Sequence, residues 1–275
     1  MAKPTSIAHA QFTASIPENY DRYLGPVIFE PYAKDMAERL GKTAPKNVLE
    51  TACGTGIVTR RLLEALPSGA GLIATDLNPA MLDHARAAIG DDPRVSWEVA
   101  DMCDLNFQTE TFDALVCQFG IMFAPDKAAA FREARRVLEP GGRFLFNVWD
   151  EIGKNPFARI ANDTIESFFP DDPPTFYQTP FGFQDRALIK EMLGAAGFSR
   201  VQEAIVSKPS QAKSAAEFAR GLIEGNPVMN EILARGTVSL EEVESELAAR
   251  IKKSLGDRPV PVRLQAIVFE ATGLA

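Results

Sequence analysis

The stretch Asn47–Leu82, "NVLETACGTGIVTRRLLEALPSGAGLIATDLNPAML", decides the fold. It opens on an apolar run, "NVLET", with the composition of a buried strand. It then passes through Ala52-Cys53-Gly54-Thr55-Gly56 and continues as an amphipathic helix, "GIVTRRLLEAL", ended by Pro67 and Gly69. A second strand, "GLIATD", follows and closes on Asp76. Strand, small-residue turn, helix and strand in that order form a parallel crossover unit.

The same alternation continues outward. "PAMLDHARAAI" is a helix with Pro79 at its start, a position proline favours, and "VSWEVAD" is a third strand. "FDALVCQ" is a fourth, continuous enough in apolar residues to be covered on both faces. "DKAAAFREARRVL" reads as a helix capped by Asp126, "EPGG" as a sharp turn and "RFLFNVW" as a fifth strand. Helices between strands predict an α/β, doubly wound sheet. Beyond it, 151–184 is aromatic-rich and reads as irregular, with a "PDDPP" break. "RALIKEMLGAAGF" is a helix stopped near Gly197, "VQEAIVS" a sixth strand, and "VRLQAIVFEATG" a late strand. Residues 208–258 read as mostly helical, interrupted at Gly225-Asn226-Pro227 and Gly236. Residues 17–40 read as two helical pieces, "PENYDRYL" and a second that starts at a Gly25-Pro26 turn. The expected division is an N-terminal helical segment (1–40), a core (41–150), an insertion (151–184), a core continuation (185–207), a helical insertion (208–258) and a final core strand (259–275).

The bulk properties narrow the function. The chain has 275 residues, 46% hydrophobic and 24% charged, enough for a sizeable core. Its net charge of −8 comes with no basic cluster longer than a pair such as Arg60-Arg61, which argues against a nucleic-acid partner. No run approaches the ~20 apolar residues of a membrane span, and the N-terminus lacks the apolar segment of a secretion signal. The three cysteines, Cys53, Cys103 and Cys117, show no C-x-x-C and no histidine at ligand spacing. The expectation is a cytoplasmic enzyme of small molecules with no metal site.

The glycine turn lies at the carboxyl end of the first strand, where open parallel sheets bind ligands. Asp76, twenty positions after Gly56, ends the second strand, and a carboxylate there can accept hydrogen bonds from both hydroxyls of a ribose. Together they form an adenosine-binding unit. A dinucleotide site favours G-x-G-x-x-G/A. Counted from Gly54 the third small position holds Thr59, and counted from Ala52 it holds Ile57, so neither register fits.

The turn instead resembles the E/D-x-G-x-G-T-G motif of class I S-adenosylmethionine-dependent methyltransferases, with Glu50 as its acid, Gly54-Thr55-Gly56 as its end and Ala52 in place of its first glycine. "ATDLNPAML" is similar to the second family motif, "VADMCDL" to the third and "FDALVCQFGIMFAPD" to the fourth. "EARRVLEPGGRFLFNVWD" is similar to the helix–turn–strand of the methyltransferase type 11 and quinone-methylase-like group. The resemblance covers about 45–150, with a return through 185–206 and 260–271. It implies a Rossmann-like sheet of seven strands, mostly parallel with one antiparallel strand inserted between the fifth and sixth, under a mainly helical cap. It also implies S-adenosylmethionine as cofactor, S-adenosylhomocysteine as product, and contacts from Glu50, Ala52, Cys53, Gly54 and Gly56 at the turn. Asp76 would hold the ribose, with Leu77, Asn78 and Met81 beside it toward the adenine. Asp101 would meet the adenine amino group and Met102 its ring, and Gln118 and Phe119 would flank the methionine end.

In relatives an N-terminal segment closes over the cofactor, often through an aromatic residue. Tyr20 and Tyr23, three apart, share a helix face; the expectation is Tyr23. Methyl transfer is an in-line displacement in which alignment does much of the work, and a base is needed only if the acceptor loses a proton. Neither His84 nor His9 is assigned that role. The phenylalanines of 151–184 suit either an apolar or aromatic acceptor pocket or a small core of their own. Two other functions stay open at this stage, a nicotinamide-dependent oxidoreductase and a non-catalytic cofactor-binding module.

Overall fold

The computed structural model describes residues 10–12 and 15–274. Seven strands form one sheet in the order β3-β2-β1-β4-β5-β7-β6. They are β1 (Asn47–Thr51), β2 (Gly71–Asp76), β3 (Val95–Val99), β4 (Phe112–Gln118), β5 (Leu138–Trp149), β6 (Arg200–Ala212) and β7 (Val260–Thr272). The pairs β1–β2, β2–β3, β1–β4 and β4–β5 are parallel, whereas β7 runs antiparallel between β5 and β6. This is the Rossmann-like sheet with the inserted antiparallel strand. Helices α3 (Ile57–Ala65), α4 (Pro79–Ile89) and α5 (Lys127–Val137) connect the parallel strands, and α7 (Arg186–Ala195) leads into β6. Asp126 caps α5 by accepting from the Ala129 amide at 2.8 Å. The order reverses between β1 and β4, so a crevice opens at their carboxyl ends.

The structure revises the sequence reading in three places. The Gly25-Pro26 pair does not divide two helical pieces. Helix α1 (Ile16–Asn19) runs into a π-helical segment, Tyr20–Phe29, and then into α2 (Glu30–Gly41) without a break. Proline removes one amide donor from a helix interior. The chain meets this by widening its turns, and Glu30 N–H bonds the Gly25 carbonyl five residues back. Second, the stretch 151–184 contains a regular helix, α6 (Pro156–Phe168), that buries Phe157, Ala158, Ala161 and Ile165. Its helical spacing was masked by the aromatic crowding around it. Third, β6 extends to Ala212, past the expected limit at 207. It pairs only with β7, and at a sheet edge Pro209 costs no ladder bond.

Helices α8 (Ala215–Glu224), α9 (Val228–Arg235) and α10 (Leu240–Leu255) pack with one another, and α10 and the α8 residue Phe218 pack on α6. Helix α8 also packs on the π-helical segment. That approach requires Gly221, where a Cβ would fall 2.6 Å from Tyr23 Cβ and 3.0 Å from Leu24 Cδ2. Gly221→Ala is therefore expected to destabilise the fold by roughly 1–3 kcal/mol, the usual penalty of overpacking. Urea denaturation checks this; an unchanged midpoint would contradict it.

Candidate active site

The crevice is a cleft of about 710 Å³ including its mouth. Its floor is the turn after β1, which contributes Ala52 and Gly54, and its side is the end of β2, with Asp76, Leu77 and Asn78. Met81 from α4, Asp101 and Met102 after β3, Gln118 at the end of β4 and Phe119 just after it complete the expected lining. Ala10, Phe12, Tyr20, Gly120 and Phe123 also face it. Phe123 belongs to the quoted "GIMFAPD" segment, but Ala10 and Phe12 lie in a stretch that carries no motif.

Asp76 organises the turn. Its buried carboxylate accepts from Gly54 N–H at 2.9 Å, Asn78 N–H at 2.8 Å and Asn78 Nδ2 at 3.2 Å. Burial raises its pKa, and the Asn78 and Gly54 N–H bonds work against that rise. The turn itself is tight. Gly54 and Gly56 have φ of +56° and +80°, and Ala52 adopts +53°. The left-handed value at Ala52 explains why related turns prefer glycine there.

Three of the expected residues stand behind the turn instead of facing the cleft. Gly56 packs against α4, where a Cβ would lie 3.0 Å from both Ala85 Cβ and Ile89 Cδ1. Cys53 is buried with Ala74 and Leu82. Glu50 is buried and accepts from the Thr59 hydroxyl on α3 at 2.7 Å, while Thr75 Oγ1 donates to the Glu50 carbonyl at 3.0 Å. Glu50 thus ties β1 to β2 and α3.

Tyr20, not Tyr23, faces the cleft. Tyr23 instead lies against Gly221, with the Arg22 and Arg220 guanidinium carbons 5.2 and 5.8 Å from its ring centre. The π-helical turns explain the exchange, because widening the helix separates residues three apart. His84 Nε2 lies 3.4 Å from Asp21 Oδ2, and the other Asp21 oxygen accepts from Thr55 Oγ1 at 3.1 Å. Asp21 therefore joins the N-terminal segment to the turn through Thr55 and to α4 through His84. His9 lies outside the described residues.

A second chamber, about 470 Å³ including its open mouth, adjoins the cleft. The two share Phe12, Tyr20, Phe119 and Phe123. Phe119 stacks on Trp149 with ring centres 3.9 Å apart, and Tyr20 stacks on Phe29 at 4.4 Å. Phe157, Phe176, Tyr177 and Phe181 form its far walls. Other cap phenylalanines do not line it. Phe169 sits under Arg235, and Phe183 packs near Phe131 and Lys127.

Residues 48–142 match the methyltransferase domain family. The ubiquinone/menaquinone biosynthesis C-methyltransferase of Bartonella quintana (strain Toulouse) is 35% identical over 205 residues, 68% of this chain and 79% of that enzyme. The chain belongs to the class I S-adenosylmethionine-dependent methyltransferases. This family membership decides between the cofactor classes that the glycine turn left open. The malonyl-[acyl-carrier protein] O-methyltransferase of Hahella chejuensis (strain KCTC 2396) is 38% identical over 101 residues, which span 37% of this chain and 36% of that enzyme. Among solved structures, a Haemonchus contortus phosphoethanolamine N-methyltransferase 2 holding S-adenosylhomocysteine superposes with a TM-score of 0.62 at 17% identity, covering 100% of this chain and 61% of that one. At that identity the likeness concerns the fold.

The cleft suits S-adenosylmethionine on its own chemistry. Among the described residues its lining contains two carboxylates, Asp76 and Asp101, and no lysine, arginine or histidine. Such a site favours a sulfonium and an ammonium over a pyrophosphate. Gln118 Oε1 is buried without a partner among the described residues, a waiting acceptor at the β4 end. A Cβ on Gly54 would meet nothing within 4 Å, so the cradle there is open. Leu77 is 48% exposed, an apolar surface that a flat ring would cover.

Burial pushes the Glu50 carboxyl up to about 8, with the Asp76 charge adding to the rise and the Thr59 bond opposing it. A raised folded-state value means that the stability of the neutral acid is complete below the ordinary carboxyl range and is lost as pH rises through about 8. Glu50→Gln keeps an acceptor for Thr59 and cannot ionise. Denaturant titrations at pH 6 and 8.5 are expected to show it gaining on the parent protein by more than about 1.4 kcal/mol, the worth of one pKa unit. A constant difference across that range would contradict this.

Proposed function

We propose that this methyltransferase modifies a neutral, apolar or aromatic small molecule. The observation that carries the reading is the aromatic chamber, which meets the cleft at Tyr20, Phe119 and Phe123. The bound cofactor supplies an electrophilic methyl group on sulfur. In the proposed arrangement Asp76 takes the ribose hydroxyls, and Leu77, Asn78 and Met81 border the adenine. Asp101 takes the adenine amino group and Met102 covers its ring. Ala52, Gly54, Gln118 and Phe119 receive the methionine end, while Glu50, Cys53 and Gly56 support the turn from behind. The N-terminal segment serves as lid over the cofactor, and 151–184 with 208–258 as cap over the acceptor.

The Bartonella relative is by name a C-methyltransferase of ubiquinone and menaquinone biosynthesis. That favours a ring carbon of an aromatic acceptor. Oxygen and nitrogen acceptors are the competing outcomes of an acceptor screen. Aromatic walls exclude water and hold a flat acceptor in register, which is the main requirement for an in-line displacement. Burial raises the Tyr20 pKa, and Asp76 and Asp21 add to it. The hydroxyl thus stays protonated at neutral pH and serves as a hydrogen-bond donor, not as a base. Among the described residues no helix is long and apolar enough to cross a membrane, and a cytoplasmic setting is part of this reading.

Asp76→Ala and Asp76→Asn test the cofactor placement. Two hydrogen bonds to a charged group are together worth about 3 kcal/mol or more. S-adenosylhomocysteine affinity, measured by isothermal titration calorimetry, is expected to fall by about 100-fold or more in both variants. The Asn variant preserves shape, so an unchanged affinity there would remove the ribose from Asp76. NADH, titrated in parallel, is expected to give no binding heat.

A further inference from the structure

The chamber contains a polar side chain of which the fold uses only one end. Asn226 lines it from the turn between α8 and α9 and is only 8% exposed. Its Nδ2 donates to the Leu222 carbonyl at 3.1 Å. The same carbonyl accepts from the Tyr177 hydroxyl at 3.1 Å. These bonds fix the amide orientation, since the reversed amide would set oxygen against oxygen. The backbone of Asn226 is also engaged, with its N–H on the Ile223 carbonyl and its carbonyl bonded by Met229 N–H. Oδ1 is left without a donor among the described residues, in a chamber whose other walls are mainly aromatic. Oδ1 is open to the space of the chamber, where an amide oxygen is available to a donor on a bound molecule and an apolar side chain of similar size would offer none.

We infer that Asn226 reads a hydrogen-bond donor, a ring hydroxyl or amino group, on the acceptor molecule. This rests on the chamber being the acceptor site, as proposed above. Asn226 lines the chamber and not the cleft, so the recognised group lies away from the atom that receives the methyl. Among the described residues no charged side chain lines the chamber, so a carboxylate, phosphate or ammonium would find no counter-ion in them. The recognised group is therefore a neutral donor. Gly225 sets the position, because a Cβ there would come within 3.2 Å of Tyr20 Cα. A site built to pair a hydroxyl discriminates strongly against an analogue that lacks it.

The test uses the full chain saturated with S-adenosylhomocysteine and two matched probes, 2-naphthol and 2-methoxynaphthalene, in calorimetric titrations. The parent protein is expected to prefer 2-naphthol by about tenfold or more, the worth of one hydrogen bond. Asn226→Leu is expected to bring the two affinities within about twofold. Equal affinities in the parent protein would overturn the inference and leave the chamber's assignment intact. So would a preference that survives in a folded Asn226→Leu variant. Failure of both probes to bind, with S-adenosylhomocysteine bound, would overturn the acceptor site itself and this inference with it. If Asn226→Leu does not fold, the parent protein's preference decides.

Discussion

The cofactor end of this enzyme depends on where one buried charge finds its donors. Asp76 lies at the end of β2 with almost no solvent, and a carboxylate in that position must be met by N–H groups. Gly54 and Asn78 provide them. To bring Gly54 within reach, the chain after β1 must turn tightly, with left-handed backbone at Ala52, Gly54 and Gly56. The turn ends at Gly56, which packs against α4 just before α3 begins. Glu50 and Thr75 then tie β1, β2 and α3 together beneath it. One carboxylate therefore shapes the floor of the cleft before any ligand arrives.

A second constraint joins this floor to the aromatic chamber. Phe119 follows β4 directly, with φ of +52°, and its ring stacks on Trp149 at the end of β5. Tyr32 meets both of these rings edge-on, at 5.3 and 5.6 Å between ring centres. The Tyr32 hydroxyl donates to the Val206 carbonyl at 2.9 Å, which fastens α2 to β6. The aromatic wall between cleft and chamber is thus rigid on the sheet side. On the opposite side it is formed by the N-terminal segment, through Tyr20 and Phe12, whose rings are 5.8 Å apart. The asymmetry suits an enzyme that must admit two ligands and then exclude water from the space between them.

The sheet and the cleft floor were legible in the sequence because their signals are local. Each parallel strand is a short apolar run, and each acid or small residue of the site sits at the end of one. Three kinds of feature escaped. Glu50, Cys53 and Gly56 belong to the turn by sequence, yet motif spacing does not say which side of a turn a side chain occupies. The exchange of Tyr23 for Tyr20 follows from π-helical widening around Pro26, which a helical period does not report. To the phenylalanines of 151–184 the chamber adds Phe12, Phe29, Trp149 and Leu222, residues brought together from four other parts of the chain. Asn226 was visible only as a helix breaker, and its recognition role depends on what surrounds it in space.

The central claim is that the cofactor's sulfur end opens onto the aromatic chamber. A crystal structure with S-adenosylhomocysteine bound tests it most directly. The account predicts the ribose on Asp76 and the sulfur beside Phe119 and Tyr20, facing the chamber. A bound molecule with its sulfur turned to solvent, or with its ribose away from Asp76, would contradict it.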